Sequence, residues 1–134
     1  MFDRLFEIAK NTECAKKHFE NELGYHVGPY ELNHLIHAHI EKINLVDVRD
    51  YEDYLEGHIP FAIHVPASAL EDNLALFEKN KLNILYCYKI ECQLAKKCCL
   101  KLAKLGYPVV EVLGGFKSWK KADFDVVKNS DEGF

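Results

Sequence analysis

Four β-rich runs separated by stretches of helical periodicity constrain this chain most. They are Ile43-Asn44-Leu45-Val46-Asp47-Val48, Ala62-Ile63-His64-Val65, Leu82-Asn83-Ile84-Leu85-Tyr86 and Val109-Val110-Glu111-Val112-Leu113. Strands and helices that alternate at such short intervals predict an α/β domain whose sheet is mostly parallel and covered on both faces. At 134 residues, 49% of them apolar, the chain is sized for one domain with one ordinary core.

The elements between the runs follow from their own signals. Phe2, Leu5, Phe6 and Ala9 recur at helical spacing, as do Ala15, Phe19 and Leu23, with Gly24 as a stop, so residues 2–23 read as one helix or as two broken near Asn11-Thr12. Tyr25-His26-Val27 reads as a short strand. Gly28-Pro29 opens a helix with proline in its first turn and a stripe of Leu32, Leu35, Ile36 and Ile40. A short helix runs through Tyr54-Leu55 to Gly57. Ser68 and Glu71 form a capping box that predicts a helix to about Lys79. Residues 93–105 read as a helix ended by Gly106, and Gly114-Gly115 turns into a short helix carrying Trp119. The expected division is an N-terminal helical extension (1–24), a main domain (25–127) and a loose polar tail (128–134).

Cys87 stands at the end of the third run, about five residues before a helical pattern. Ligands of open parallel sheets sit outside the carboxyl ends of the strands. A helix N-terminus leaves backbone N–H groups unpaired and carries partial positive charge, which favours a thiolate and cradles anions. The same position also suits a small buried apolar residue. The net charge of -4 gives no basic footprint for nucleic acid, no apolar stretch approaches a membrane span, and the charged N-terminus has no signal-peptide core. Five cysteines without an export signal suggest reduced thiols in a cytoplasm. Cys14, Cys87, Cys92, Cys98 and Cys99 contain no Cys-x-x-Cys pair, so neither a zinc site nor a cofactor is expected.

Two further motifs flank Cys87. Asp47-Val48-Arg49-Asp50-Tyr51-Glu52-Asp53-Tyr54-Leu55-Glu56-Gly57-His58-Ile59-Pro60 resembles the signature Asp-x-Arg-x-x-Glu-[Phe/Tyr]-x-x-Gly-His-Ile of rhodanese-like domains, and Gly114-Gly115-Phe116-Lys117-Ser118-Trp119 resembles that family's Gly-Gly-x-x-x-Trp. Cys87 lies between them, where the family keeps its catalytic cysteine. The resemblance covers roughly residues 25–127. It implies a five-stranded parallel sheet with helices on both sides, and a cysteine that takes sulfane sulfur from a donor as a persulfide and passes it to a thiophilic acceptor. An activated thiolate at a helix N-terminus is the nucleophile such chemistry needs.

The loop departs from the family pattern Cys-Arg-x-Gly-x-Arg. It reads Cys87-Tyr88-Lys89-Ile90-Glu91-Cys92. Its length matches the sulfurtransferases, whereas the phosphatases of this fold have one residue more. Both arginines are replaced, by Tyr88 and Cys92; the glycine is Ile90; Glu91 adds negative charge; Lys89 alone remains to attract an anion. One lysine does not replace a two-point arginine fork, so thiosulfate binding should be weak, while backbone amides can still hold a persulfide. Ile90 is compatible with the loop only if its backbone stays out of the left-handed region. Phe61 likewise stands where the signature usually continues with glycine.

Other residues read as follows. Cys92 either resolves or bridges to Cys87, or it merely fills the space of an arginine. Cys98 shares a stripe with Leu94, Leu102 and Leu105 and belongs to the core, with Cys99 partly buried beside it. His34, His37 and His39 lack acidic or cysteine companions and mark a solvated face. His58 reads as structural, and Asp47 and Arg49 as scaffold, the arginine within reach of Glu52 or Glu56. Lys97, Lys101 and Lys104 form a basic stripe. The expected function is a cytoplasmic sulfurtransferase or persulfide carrier acting through Cys87, with a small sulfur donor or a protein persulfide on one side and a thiol acceptor on the other. The alternative is a non-catalytic rhodanese-like binding module. In either case the N-terminal helices are available for a homodimer.

Overall fold

The computed structural model describes residues 3–128. Its elements, in chain order, are α1 (Asp3–Lys10), α2 (Thr12–Glu22), β1 (His26–Val27), α3 (Pro29–Ala38), β2 (Ile43–Asp47), α4 (Tyr51–Glu56), β3 (Ile63–His64), β4 (Leu82–Tyr86), α5 (Leu94–Lys104), β5 (Val109–Val112) and α6 (Gly115–Lys121). The five strands form one sheet in the order β1-β5-β4-β2-β3, and every pairing is parallel.

Side chains of a strand alternate between the two faces, and that divides the core in two. Leu45 of β2 and Ile84 and Tyr86 of β4 face a layer with Leu32 and Ile36 of α3 and Trp119 of α6. Val46 of β2 and Leu85 of β4, with Cys87 just beyond, face a layer with Ala95, Cys98 and Leu102 of α5, Leu70 and Phe77. Helices therefore cover both faces. The central strand β4 ends beneath the N-terminus of α5, and this places Cys87.

Of the two readings of residues 2–23 the break near Asn11-Thr12 holds, and several other local expectations are corrected. The N-terminal region is two helices, because Asn11 breaks the run and caps α2 by accepting a hydrogen bond from the Cys14 amide (3.1 Å). No side chain of α1 is buried, and Leu5, Phe6, Phe19 and Leu23 stay exposed on the single chain rather than packing on the main domain; Phe2 lies outside the described residues. Helix α3 stops at Ala38, so Ile40 falls in a following 3₁₀ turn and leaves the buried stripe. Ser68 and Glu71 do not open an α-helix. Residues Ala67–Ala69 and Glu71–Leu76 form 3₁₀ turns with a kink at Asn73, because Leu70 and Phe77 are drawn into the core and the Ala67 amide is tied to the Val48 carbonyl (3.0 Å). Along α5 the buried set is Ala95, Cys98 and Leu102, while Leu94 and Leu105 are exposed. The tail from residue 129 onward lies outside the described residues.

Arg49 is held elsewhere than expected. Its guanidinium forks onto Asp47 (Nε to Oδ1 3.1 Å, Nη2 to Oδ2 2.8 Å) and donates to the Gly57 carbonyl (2.6 Å), with neither Glu52 nor Glu56 as partner. Its face lies 4.1 Å from the centre of the Phe116 ring. Both charged groups are buried, so each satisfies the other. The first signature is thus fastened to the second. His58 stacks on Tyr54 (3.8 Å between ring centres), and its backbone bridges to Val127. His34 meets His39 edge to face, and His37 bonds the Asn33 carbonyl (2.8 Å).

Candidate active site

The loop after β4 is positioned from below by α6. The amide of Phe116 donates to the Cys87 carbonyl and the amide of Lys117 to the Tyr88 carbonyl, both at 2.9 Å. This approach requires Gly115. Its φ is +62°, and a Cβ there would stand 2.7 Å from the Cys87 carbonyl oxygen and 2.9 Å from the Tyr88 carbonyl carbon. The second signature therefore holds the cysteine loop by backbone contact.

Tyr88 does not point into the loop. Its hydroxyl donates to Asp53 Oδ2 (2.6 Å) and accepts from the Asp50 amide (3.2 Å). Burial, then the Asp53 hydrogen bond, pushes its phenol up to about 12. Tyr88 staples the loop to the N-terminus of α4, and the first arginine position of the family pattern is occupied here by a structural side chain.

Beyond Tyr88 the chain turns sharply: the Cys92 amide donates to the Lys89 carbonyl (3.0 Å). Lys89, Ile90 and Glu91 project to solvent. Among the described residues only Phe61 and Asp123 are non-glycine residues at positive φ, so Ile90 meets the condition that its position imposes. The turn brings Cys92 back over Cys87. The Cys87 thiol donates to the Cys92 carbonyl (3.6 Å), and the two thiols stand close enough for each to act on the other's charge. Backbone amides of Tyr88 and Ala95 reach the Cys87 sulfur, and those of Leu94 and Tyr88 reach the Cys92 sulfur. Both thiols thus sit at the N-terminus of α5.

Cys87 is only 3% exposed. Burial and the Cys92 hydrogen bond raise its thiol to about 11, against the pull of the Ala95 and Tyr88 amides. For Cys92, burial is outweighed by the hydrogen bond from Cys87, the Leu94 and Tyr88 amides and the charge of Lys89, and its thiol is lowered. The amides favour a thiolate at this place, as the sequence suggests, but the charge settles first on Cys92 rather than on Cys87.

A cavity of about 170 Å³ opens over the pair, walled by Cys87, Cys92, Ala95, His26, Val112 and Gly115, with Lys89 and Ile90 at its edge. Lys96 stands at the mouth but is paired with Glu111 (2.9 Å) and near Glu22 of α2 (4.0 Å). Next to the mouth lies a groove of about 600 Å³ between α2 and the loop, lined by His18, Asn21, Tyr25, Ile90, Glu91 and Gln93. Of the loop residues named from sequence, Cys87, Lys89, Ile90 and Cys92 meet at the cavity, Glu91 faces the groove, and Tyr88 is turned away. Gly115 was legible in the Gly-Gly motif; His26, Lys96 and Glu111 were not, since each comes from a different element.

An α/β domain with a cysteine at the carboxyl edge of a parallel sheet, seated on a Gly-Gly turn, is what fold and site define. Comparison with known proteins makes this specific. The rhodanese-like domain family matches residues 29–122. A crystal structure of the BH2092 protein of Bacillus halodurans superposes with a TM-score of 0.78 at 37% identity, covering 89% of this chain and 88% of that one. The thiosulfate sulfurtransferase GlpE of Coxiella burnetii is 34% identical over 80 residues, 58% of this chain and 72% of its own. An HTH-type transcriptional regulator of Mycobacterium tuberculosis is 34% identical over 92 residues, 69% of this chain; the match spans 39% of the regulator's length. The chain belongs to the rhodanese-like domain family.

Proposed function

We propose that the protein is a sulfurtransferase or persulfide carrier in which Cys87 accepts sulfane sulfur and passes it to a thiol acceptor. The observation that carries this reading is the seat of Cys87: a cysteine at the end of the central strand, with amides of Tyr88 and Ala95 on its sulfur, at the base of a cavity that admits a small donor. When the pair gives up a proton, the charge settles first on Cys92. Transfer of a proton from Cys87 to Cys92 exposes the Cys87 thiolate for attack on the donor's outer sulfur, and the same amides then hold the persulfide anion. All five cysteines are unpaired, in keeping with work in a reducing cytoplasm. Among the described residues no helix is long and apolar enough to cross a membrane.

Donor preference follows from the charges. Lys96 is neutralised by Glu111, Tyr88 faces Asp53, and Glu91 stands beside the mouth, so Lys89 is the cation left for an anion. A compact dianion such as thiosulfate, whose sulfonate needs cations around it, is therefore a poor donor. Inorganic polysulfide, whose charge is spread over the ends of a sulfur chain, or a docked protein persulfide is a better one. Measuring the rate of sulfur loading with each donor tests this. Polysulfide should load the reduced chain at least about tenfold faster than thiosulfate, which is what the loss of one good charge-assisted contact amounts to. Equal rates would contradict the donor assignment.

A further inference from the structure

The first cysteine of the loop is accounted for by sulfur transfer; the second is not. A residue that only filled the space of a lost arginine need not bring a sulfur onto Cys87. Here the Lys89–Cys92 turn folds the chain back until the Cys87 sulfur lies 3.6 Å from the Cys92 carbonyl oxygen, close enough for each thiol to act on the other's charge. The loop that carries them is fixed at both ends, by the Tyr88–Asp53 staple and by the α5 N-terminus. Both sulfurs open onto the same cavity.

We propose that Cys92 is a resolving thiol that attacks the Cys87 persulfide at the Cys87 sulfur, closing a Cys87–Cys92 disulfide and expelling hydrosulfide. The proposal rests on the reading of Cys87 as the persulfide-bearing residue. The Cys92 thiolate supplies the electron pair of the new S–S bond. The proton that Cys92 took up during loading passes to the outer sulfur of the persulfide anion, which makes Cys92 the attacking thiolate. The bond between the Cys87 sulfur and the outer sulfur breaks, and its electrons leave with the outer sulfur as HS⁻. The sulfane sulfur is reduced to sulfide and the two cysteine sulfurs are oxidised to a disulfide. A low-molecular-weight dithiol or monothiol reductant then returns both cysteines to thiols and is itself oxidised. The net activity is release of a donor's sulfane sulfur as sulfide.

Three features favour this route. The attacking sulfur is the one on which the pair's charge settles, lowered by the Cys87 hydrogen bond and by amides despite its burial. Hydrosulfide is a weaker base than an alkyl thiolate, and the better leaving group leaves faster. The outer sulfur of the persulfide finds neither of the arginines that would hold it in the family pattern, since Tyr88 is turned to Asp53 and Cys92 takes the other place.

The test uses the full reduced chain, loaded with inorganic polysulfide, freed of excess donor and incubated without acceptor. Wild type, Cys92→Ala and Cys92→Ser are followed by intact mass and by sulfide release. In wild type the added sulfur should disappear together with two hydrogens of the reduced chain, sulfide should appear in an amount equal to the chains loaded, and peptide mapping should find a Cys87–Cys92 bridge. Both Cys92 variants should keep the added sulfur for about tenfold longer or more, without a bridge. Equal persulfide lifetimes in all three proteins, or a bridge to Cys98 or Cys99, would overturn the resolving role while leaving Cys87 as the sulfur carrier. Failure of all three to gain sulfur would overturn the carrier reading and the resolving role together.

Discussion

Replacing Gly115 by alanine tests whether the Gly-Gly motif acts on the cysteine loop. Two effects add. At φ +62° an L-residue costs about 1–2 kcal/mol, less roughly 0.4–1 kcal/mol because alanine narrows the unfolded ensemble. The new Cβ also falls 2.7 Å from the Cys87 carbonyl oxygen and 2.9 Å from the Tyr88 carbonyl carbon. Backbone cannot swing aside like a flexible side chain, and forced overpacking of this kind costs about 1–3 kcal/mol. The sum is roughly 1–5 kcal/mol, or a fall in Tm of about 4–20 °C for a domain of this size. Gly114→Ala is the control. It has φ +79° and a Cβ position 2.8 Å from Ser118 Cβ, so it is strained to a similar degree but does not touch the loop. Both variants should melt early. Only Gly115→Ala should displace Cys87, weaken the Phe116 and Lys117 amide bonds to the loop, and slow sulfur loading by about tenfold or more, measured well below either Tm. Equal loading rates for the two variants would refute the claim that Gly115 seats the active-site loop.

Phe61 has φ +72° and is 69% exposed, so Phe61→Gly should relieve left-handed strain and stabilise by about 0.5–1 kcal/mol, raising Tm by a few degrees; a lower Tm would show that the ring contributes packing. Cys92→Arg should raise thiosulfate-dependent activity by about tenfold, whereas Tyr88→Arg should add little because Asp50 and Asp53 draw the new guanidinium away; a larger gain from Tyr88→Arg in a thiosulfate:cyanide assay would contradict this placement. The exposed apolar residues Leu5, Phe6, Phe19 and Leu23 are expected to be covered by a second copy, so sedimentation should find a dimer that is lost in a chain starting at Gly24; a monomeric full chain at tens of micromolar would contradict it.

The sequence made the architecture legible wherever a signal was local and strong. The four β-rich runs became β2 to β5, and the Gly28-Pro29 start, the Gly57 stop and the Gly114-Gly115 turn fell at element ends. It misled where tertiary packing overrides a local signal: the Ser68–Glu71 capping box yields to the burial of Leu70 and Phe77. The site was half legible. Cys87 and its loop were identified by motif, and the constraint on Ile90 could be stated in advance. The direction of Tyr88 could not, because its partner Asp53 is 35 residues away in the chain. Nor could the settling of charge on Cys92 before Cys87, which depends on burial of one sulfur and on a turn hydrogen bond. The anchoring of Asn83 by Asn44, Glu78 and Pro108 was hidden for the same reason: it joins four segments.

The central claim is that Cys87 carries the sulfur. Intact mass and peptide mapping of the reduced wild type and of Cys87→Ser, each held briefly with polysulfide and trapped with an alkylating agent before any resolution, test it most directly. The account predicts one added sulfur on the peptide that bears Cys87 in wild type and no added sulfur in Cys87→Ser. Sulfur found on Cys14, Cys98 or Cys99 instead, or loading that survives in Cys87→Ser, would contradict it.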